Sequence, residues 1–216
     1  MGIVFGRTGT AEPPFSLLTK IPGPICVEIR SYSSFVVASV PMSTGSDDQA
    51  FSILARYIGV FGEPANTKSE ALSMTSPVLT KGQSQAMAMT SPVIQDRNMR
   101  EMAFVLPFEF TQVSEAPTPK DNRVKLNLVP AKVIAACRFP GAFNKEVCHQ
   151  NFEKMVAILG EGKYIDGKGD VTYEIAQYHP PFTLPWFRRN EVWIQLQGSN
   201  PEVKNLLAAA EEKAKA

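Results

Sequence analysis

Histidine is almost missing from this chain: 216 residues carry only His149 and His179. Any His-rich metal site or Ser-His-Asp triad would have to be built on one of these two. Cysteine is scarce as well. Cys26, Cys137 and Cys148 are odd in number and unevenly spaced, so they read as buried thiols of a reducing compartment and not as a disulfide framework. Excess charge is lacking, since 22 Lys+Arg face 21 Asp+Glu. That removes the bulk attraction behind non-specific binding to nucleic acid or acidic membranes, and no nucleic-acid partner is expected. No window nears the roughly 18 consecutive apolar residues of a membrane span. Met1 to Gly6 show neither a basic segment followed by a long apolar one nor a small-residue cleavage site. A cytoplasmic protein is the default expectation, with an organelle protein whose targeting segment is absent from this chain as the alternative. The patterns Gly-x-Ser-x-Gly, P-loop, dinucleotide fingerprint and Cys-x-x-Cys are all missing, and no enzyme is expected.

What is present is ordinary globular material, 44% hydrophobic and 20% charged, enough to argue against disorder. Positions 1–24 read as an irregular arm, because 9–24 are rich in Thr, Pro and Gly. Ile25 to Arg30 alternates with Ile25, Val27 and Ile29 on one face, the mark of a half-buried strand. Phe35 to Val40 reads as a more buried one. Ser46-Asp47-Asp48-Gln49 opens a helix with a capping box and two acids at the positive end of the dipole. Ala50, Phe51, Leu54, Tyr57, Ile58 and Phe61 then recur at helical spacing until Gly59 and Gly62-Glu63-Pro64 stop it. Met102 to Pro107 gives another strand.

Between these elements lies a repeat. Ala71-Leu72-Ser73-Met74-Thr75-Ser76-Pro77-Val78-Leu79 returns as Ala86-Met87-Ala88-Met89-Thr90-Ser91-Pro92-Val93-Ile94, 15 positions later. The polar link Lys81-Gly82-Gln83-Ser84 suggests a hairpin. Pro77 and Pro92 cannot donate to a ladder, so the hairpin is expected at a sheet edge or with bulges. Met74, Met87, Met89, Met99 and Met102 crowd this stretch. They suit an adaptable core patch, and equally a soft wall for a flat apolar ligand.

After the loop at Ala116–Asn122 the order recurs. Val124, Leu126 and Leu128 alternate, and Lys132 to Phe139 is a buried strand. Asn144 caps a helix that turns Val147, Cys148, Phe152, Met155, Val156 and Leu159 inward. Val171 to Gln177 and Val192 to Leu196 are strands. The fold class is α+β: two strand–strand–helix–strand–strand halves, about 25–115 and 120–197, share one continuous curved sheet with a helix on each side. Asn200-Pro201 starts a last helix in 198–216, and its narrow stripe of Val203, Leu206, Leu207 and Ala210 docks weakly or serves a protein partner.

His149 is expected on a helix flank near Glu153, and His179 in a turn satisfied by backbone. Arg188, Arg189, Asn190 and Glu191 read as anchors that hold a Pro-rich loop to the sheet.

Taken together, Met-Thr-Ser-Pro-Val, Phe104-Val105-Leu106-Pro107, Tyr178-His179-Pro180-Pro181-Phe182 and Arg188-Arg189-Asn190-Glu191-Val192-Trp193 resemble the SOUL haem-binding protein family. The likeness runs from about Ile25 to Leu196. The tandem Met-Thr-Ser-Pro-Val hairpin is most similar to the family's cytosolic plant and algal members, which makes a plastid the organelle alternative. The resemblance implies a single haem-binding domain over 25–197, a pseudo-two-fold, distorted antiparallel β-barrel. It also implies reversible, non-covalent binding of haem or another tetrapyrrole in an apolar groove, without an obvious axial ligand, by a carrier or buffer. Family methionines on the groove helix fall on Phe51 and Ala55, a family lysine on Arg56, and a family arginine on Asp48. A basic contact in the loop after Pro-Pro is not matched by Phe182-Thr183-Leu184-Pro185. The expected site is Phe51, Leu54, Ala55 and Arg56 with Met74 and Met89, with no metal ligand and no catalytic residue. Two alternatives come from other classes. One is an effector-sensing module for drug-like cations, or a hydrolase, of a related duplicated fold. The other is a scaffold subunit docked through the last helix.

Overall fold

The computed structural model describes residues 11–42, 47–60, 62–69, 71–73, 75–81, 100–165, 171–179 and 183–215. Nine strands run in the order β1 Phe15–Ile21, β2 Val27–Tyr32, β3 Phe35–Met42, β4 Val78–Lys81, β5 Arg100–Val105, β6 Lys125–Val129, β7 Lys132–Pro140, β8 Tyr173–Gln177 and β9 Arg189–Leu196. Helix α1 (Asp47–Ile58) follows β3, α2 (Lys145–Glu161) follows β7, and α3 (Pro201–Lys215) closes the chain.

All strand pairs are antiparallel, in the spatial order β1-β2-β7-β9-β8-β4-β5-β3-β6. The sheet is curled like a half-barrel, and β1 and β6 stand at its two ends with no closing pair among the described residues. β2 pairs with β7, and β6 pairs with β3. The opening strand of each strand–strand–helix–strand–strand run therefore lies in the other run's part of the sheet, so neither run could form its sheet alone.

Alternation decides which side of the sheet each residue serves. Val133, Ala135, Cys137 and Phe139 of β7 and Val192, Ile194 and Leu196 of β9 meet Cys148, Phe152, Met155 and Leu159 of α2. Val36, Ala38 and Val40 of β3 and Met102 and Phe104 of β5 meet Ala50, Leu54, Ala55, Tyr57 and Ile58 of α1. Across the β4–β8 seam, Leu79 lies opposite Ala176 and Thr80 opposite Ile175. Leu79 and Ala176 belong to a third cluster with Tyr32, Val37, Ile134, Ala136, Tyr178 and Trp193. Both helices thus pack on one face, and the third cluster fills the other, concave face. This corrects the expectation of a helix on each side: a curled sheet turns its long convex face outward, and that face needs both helices to bury it.

Four further expectations change. Phe15–Ile21, inside the supposed irregular arm, is a strand on β2, and a register break between Leu17 and Thr19 hides its alternation. The Met-Thr-Ser-Pro hairpin is not an edge element in its first copy, for β4 pairs with β5 on one side and β8 on the other. Pro77 just precedes the ladder, so its missing N–H costs no sheet bond. The second copy, with Met87, Met89, Pro92 and Met99, lies outside the described residues. Val147 is 38% exposed rather than inward, because Asn144, whose side chain accepts from the N–H groups of Glu146 and Val147, sets the helix so that Cys148 takes the core position. Cys26 is exposed, while Cys137 and Cys148 are buried and pushed up to about 11 by that burial.

The central position of β4 has a measurable consequence. Leu79 is almost fully buried against Ala176, so Leu79→Ala should cost about 2–5 kcal/mol in urea unfolding. A loss under about 1 kcal/mol is what an edge strand would give.

Candidate functional site

Helix α1 buries Ala50, Leu54, Ala55, Tyr57 and Ile58 and leaves a second face spaced three and four residues apart: Gln49, Ser52, Ile53 and Arg56. With Tyr57, Ala65, Asp121 and Arg123 these residues line a half-open hollow of about 340 Å³, at the small end of ligand sites. Its walls are stitched to the helix end. The Tyr57 hydroxyl donates to the Pro117 carbonyl at 2.7 Å, and Asn66, fully buried, donates to the Tyr57 carbonyl at 3.1 Å. The Ala65 N–H reaches the Arg56 carbonyl, and the Lys120 N–H reaches that of Ala65, both at 2.9 Å. Gly59 makes the turn at φ +86°, where a Cβ would come within 2.8 Å of Pro64, so this turn requires glycine.

Two guanidinium groups stand at the hollow. Arg123 donates to both oxygens of Asp121, at 2.6 to 3.2 Å. Hydrogen bonding from Arg123 holds the Asp121 carboxyl below its ordinary value. Arg56 is exposed and makes no ion pair among the described residues. The hollow therefore carries one net positive charge, Arg56 and Arg123 against Asp121.

The expected site residues are spread around the helix. Phe51 is half-buried, its ring edge-on to Phe104 at 5.3 Å. It stands about 140° from Arg56 around the axis, and only Arg56 of the pair lines the hollow. Leu54 and Ala55 are both 0% exposed; they seat the helix and offer no surface to a ligand. Met74 and Met89 lie outside the described residues. His149 is on the flank of α2, 3.5 Å from Glu153. The Nδ1 of His179 accepts the backbone N–H of Arg189 at 3.0 Å. Neither histidine lines the hollow. Sequence spacing could show α1's second face, but not Ala65, Asp121 and Arg123, which come from two other segments.

The concave face holds a second polar centre, which reading Arg188-Arg189-Asn190-Glu191 as loop anchors did not anticipate, because its partners Arg30 and Tyr178 come from other strands and loops. Arg188 and Asn190, the first and third, anchor the loop as expected: Arg188 donates to the Thr183 carbonyl at 2.6 Å, and Asn190 donates at 2.9 Å to the carbonyl of Gly141, whose N–H holds the Pro185 carbonyl. Arg189 and Glu191, the second and fourth, do more. Glu191 is 0% exposed. It accepts from Arg30 at 2.8 and 3.1 Å, from Arg189 at 2.9 Å, from the Tyr178 hydroxyl at 2.9 Å and from the Trp193 indole N–H at 2.7 Å. Arg30 also binds Glu28 and lies over the Phe15 ring. Arg189 stacks on Tyr178 at 3.7 Å and binds Glu12. Burial pushes the Glu191 carboxyl up, but the hydrogen bonds and charge of Arg30, the charge of Arg189 and the Trp193 N–H outweigh it and hold the carboxyl low. Beyond Trp193 the same face opens into a hollow of about 300 Å³ lined by Val37, Ser39, Leu79, Glu101, Lys132 and Glu174, among others. There Lys132 is already paired with Glu174 at 2.8 Å, and the charge is one net negative.

Because the Glu191 carboxyl is depressed in the folded state, its stabilisation is complete above the ordinary carboxylate range and is lost as pH falls through the lower folded value. Glu191→Gln takes the shared carboxylate from buried Arg30 and half-buried Arg189, which keep only Glu28 and Glu12 at the margin, and should cost about 3 kcal/mol at neutral pH. It should also flatten the acid limb of a stability–pH curve. A variant with wild-type stability and an unchanged acid limb would remove Glu191 from the account.

The family model of the SOUL heme-binding protein matches residues 10–195. No curated protein gives a significant match. Among solved structures, the C-terminal domain of EcmrR is 11% identical, with a TM-score of 0.51 over 81% of this chain and 99% of that one. An uncharacterised conserved protein from Listeria innocua is 15% identical, with a TM-score of 0.49 over 79% of this chain and 92% of that one. SAV2435, solved bound to tetraphenylphosphonium, is 10% identical, with a TM-score of 0.37 over 80% of this chain and 94% of that one. At such identity the EcmrR likeness speaks to the fold alone, an α+β domain on a curled antiparallel sheet. The family match spans most of the chain, strands and loops alike, and the chain belongs to the SOUL heme-binding protein family.

Proposed function

We propose that the protein binds haem or a related tetrapyrrole reversibly and non-covalently against α1, without turnover, as a carrier or buffer. One observation carries the choice of site, the opposite charge of the two hollows. A tetrapyrrole bearing carboxylate arms is attracted by Arg56 and Arg123 and repelled by Glu101 and Glu174 on the concave face. The residues fit a ligand held at its rim. Arg56 would grip a carboxylate, a contact guanidinium geometry favours. The open part of the Phe51 ring would cover an apolar face, and because Phe51 and Arg56 point apart, a macrocycle lying on Phe51 reaches Arg56 only through its carboxylate arms. The described residues lining the hollow include no His, Cys or Met to take the iron, and the Tyr57 hydroxyl is engaged by Pro117. When bound, haem would supply its colour and its redox iron; the chain's part is to hold it and give it up.

The cation-sensing alternative would need a buried acid among aromatics. Glu191 among Tyr32, Tyr178 and Trp193 answers that description, but Arg30 and Arg189 already supply the positive charge a ligand would bring. Leu206 and Leu207 of α3 pack on the chain's own core, and Val203 is buried there, which weakens the scaffold reading. We also read the two halves as copies of one ββαββ unit. The strand order from β2 to β6 supports this, since it is the same from either end when β2, β3, β4 and β5 are matched to β6, β7, β8 and β9.

Haem titration of the purified protein tests the reading. A shifted Soret band at near-stoichiometric haem is expected, and an unchanged spectrum at high micromolar haem would overturn it. Arg56→Ala should weaken binding about fivefold at low salt and less at high salt. Phe51→Ala should weaken it about tenfold at every salt concentration, since a ligand covers only the part of the ring that Phe104 leaves open. No loss from either variant would move the site off α1. His149→Ala and His179→Ala should leave the spectrum unchanged; loss of a low-spin spectrum in either would make that histidine a ligand.

A further inference from the structure

The turn Pro185–Phe187 carries the most exposed large apolar side chain among the described residues. Trp186 is 67% exposed and its neighbour Phe187 43%, their ring centroids 6.3 Å apart. Such a pair in water is costly, and the turn that displays it is rigid. The Gly141 N–H donates to the Pro185 carbonyl at 3.0 Å, the Phe187 N–H to that of Leu184 at 2.9 Å, and the Arg188 side chain to that of Thr183 at 2.6 Å. The turn is thereby fixed to Gly141, in the segment that joins β7 to α2. That end of the sheet also bears Arg138, which is exposed near the end of β7, and Lys145, which is exposed at the first position of α2, with Glu146 beside it as the opposing acid.

We propose that this end of the molecule docks on an anionic lipid surface, with Trp186 and Phe187 seated at the headgroup level and Arg138 and Lys145 meeting lipid phosphates. The charge of the patch selects the partner. Amphipathic tryptophan is suited to the boundary between water and acyl chains, and basic residues beside it add attraction to anionic headgroups within a Debye length. A second copy of this chain would bring the same basic residues against each other. The near-zero net charge of the whole molecule, +1, leaves the docking to this local patch, so binding is reversible and salt-sensitive, not a permanent anchor. The inference does not rest on tetrapyrrole binding.

The chain has two tryptophans, and Trp193 is 1% exposed, so a lipid-induced change in fluorescence reports Trp186. Mixed phosphatidylglycerol–phosphatidylcholine vesicles at about 0.1 M salt should shift the emission to the blue and co-sediment the protein. Pure phosphatidylcholine vesicles should do so far less. Trp186→Ser with Phe187→Ser should reduce co-sedimentation at least about tenfold, with circular dichroism unchanged because both side chains are exposed. Arg138→Glu with Lys145→Glu should reduce it about tenfold or more on anionic vesicles only, since each basic residue near the surface is worth about fivefold. Absence of co-sedimentation at millimolar anionic lipid, or binding retained by the Ser double variant, would overturn the proposal. So would concentration-dependent self-association in the absence of lipid that the Ser double variant abolishes, for the patch would then pair copies of this chain.

Discussion

A carboxylate sealed from water has to meet positive charge or give up its own. At Glu191 that demand is answered from across the sheet. Arg30 comes from β2, on the far side of β7, and Arg189 from two positions back along β9. Tyr178 and Trp193 supply the remaining donors. One buried acid thereby joins strands distant in sequence, and any slip in their register would strand it. The N-terminal strand belongs to the same arrangement. Phe15 lies over Arg30 and beside Tyr32, and Glu12 binds Arg189, so β1 covers the charged centre from the open side.

The two faces of the sheet divide the work. The convex face is apolar and hidden under α1 and α2, which leaves only the outer sides of those helices to meet a ligand. The concave face is filled by aromatics and ion pairs at one end and is hollow and acidic at the other. Electrostatics then separates the two hollows, the one beside Arg56 being net positive and the concave one net negative. The first hollow is braced by Asn66 and Tyr57, two buried polar side chains that tie loops to the end of α1.

Much of this was legible in the sequence, wherever one face of an element is wet and the other dry. Val27 and Ile29 betrayed β2, and Ala50, Leu54, Tyr57 and Ile58 betrayed α1, because burial repeats at the period of the element. β1 was hidden because its register breaks between Leu17 and Thr19 and none of its side chains is fully buried. The central place of β4 was hidden because Pro77 argues for an edge until the ladder is seen to begin at Val78. Glu191 was hidden for a deeper reason. A buried acid and a solvated one are the same letter, and only the pairing of β2, β7 and β9 brings Arg30 within reach. The hollow beside α1 is assembled from residues 49–57, 65 and 121–123, so periodicity could reveal one wall and not the other two.

Whether the chain holds a tetrapyrrole on α1 is best settled by mapping amide shifts of isotope-labelled protein against a diamagnetic zinc porphyrin that keeps its two carboxylate arms. The expected result is a cluster of saturable changes over Gln49–Arg56, Ala65 and Asp121–Arg123, with Leu79, Ala176 and Trp193 still. Changes centred on those last three residues, or none anywhere at saturating porphyrin, would contradict the account.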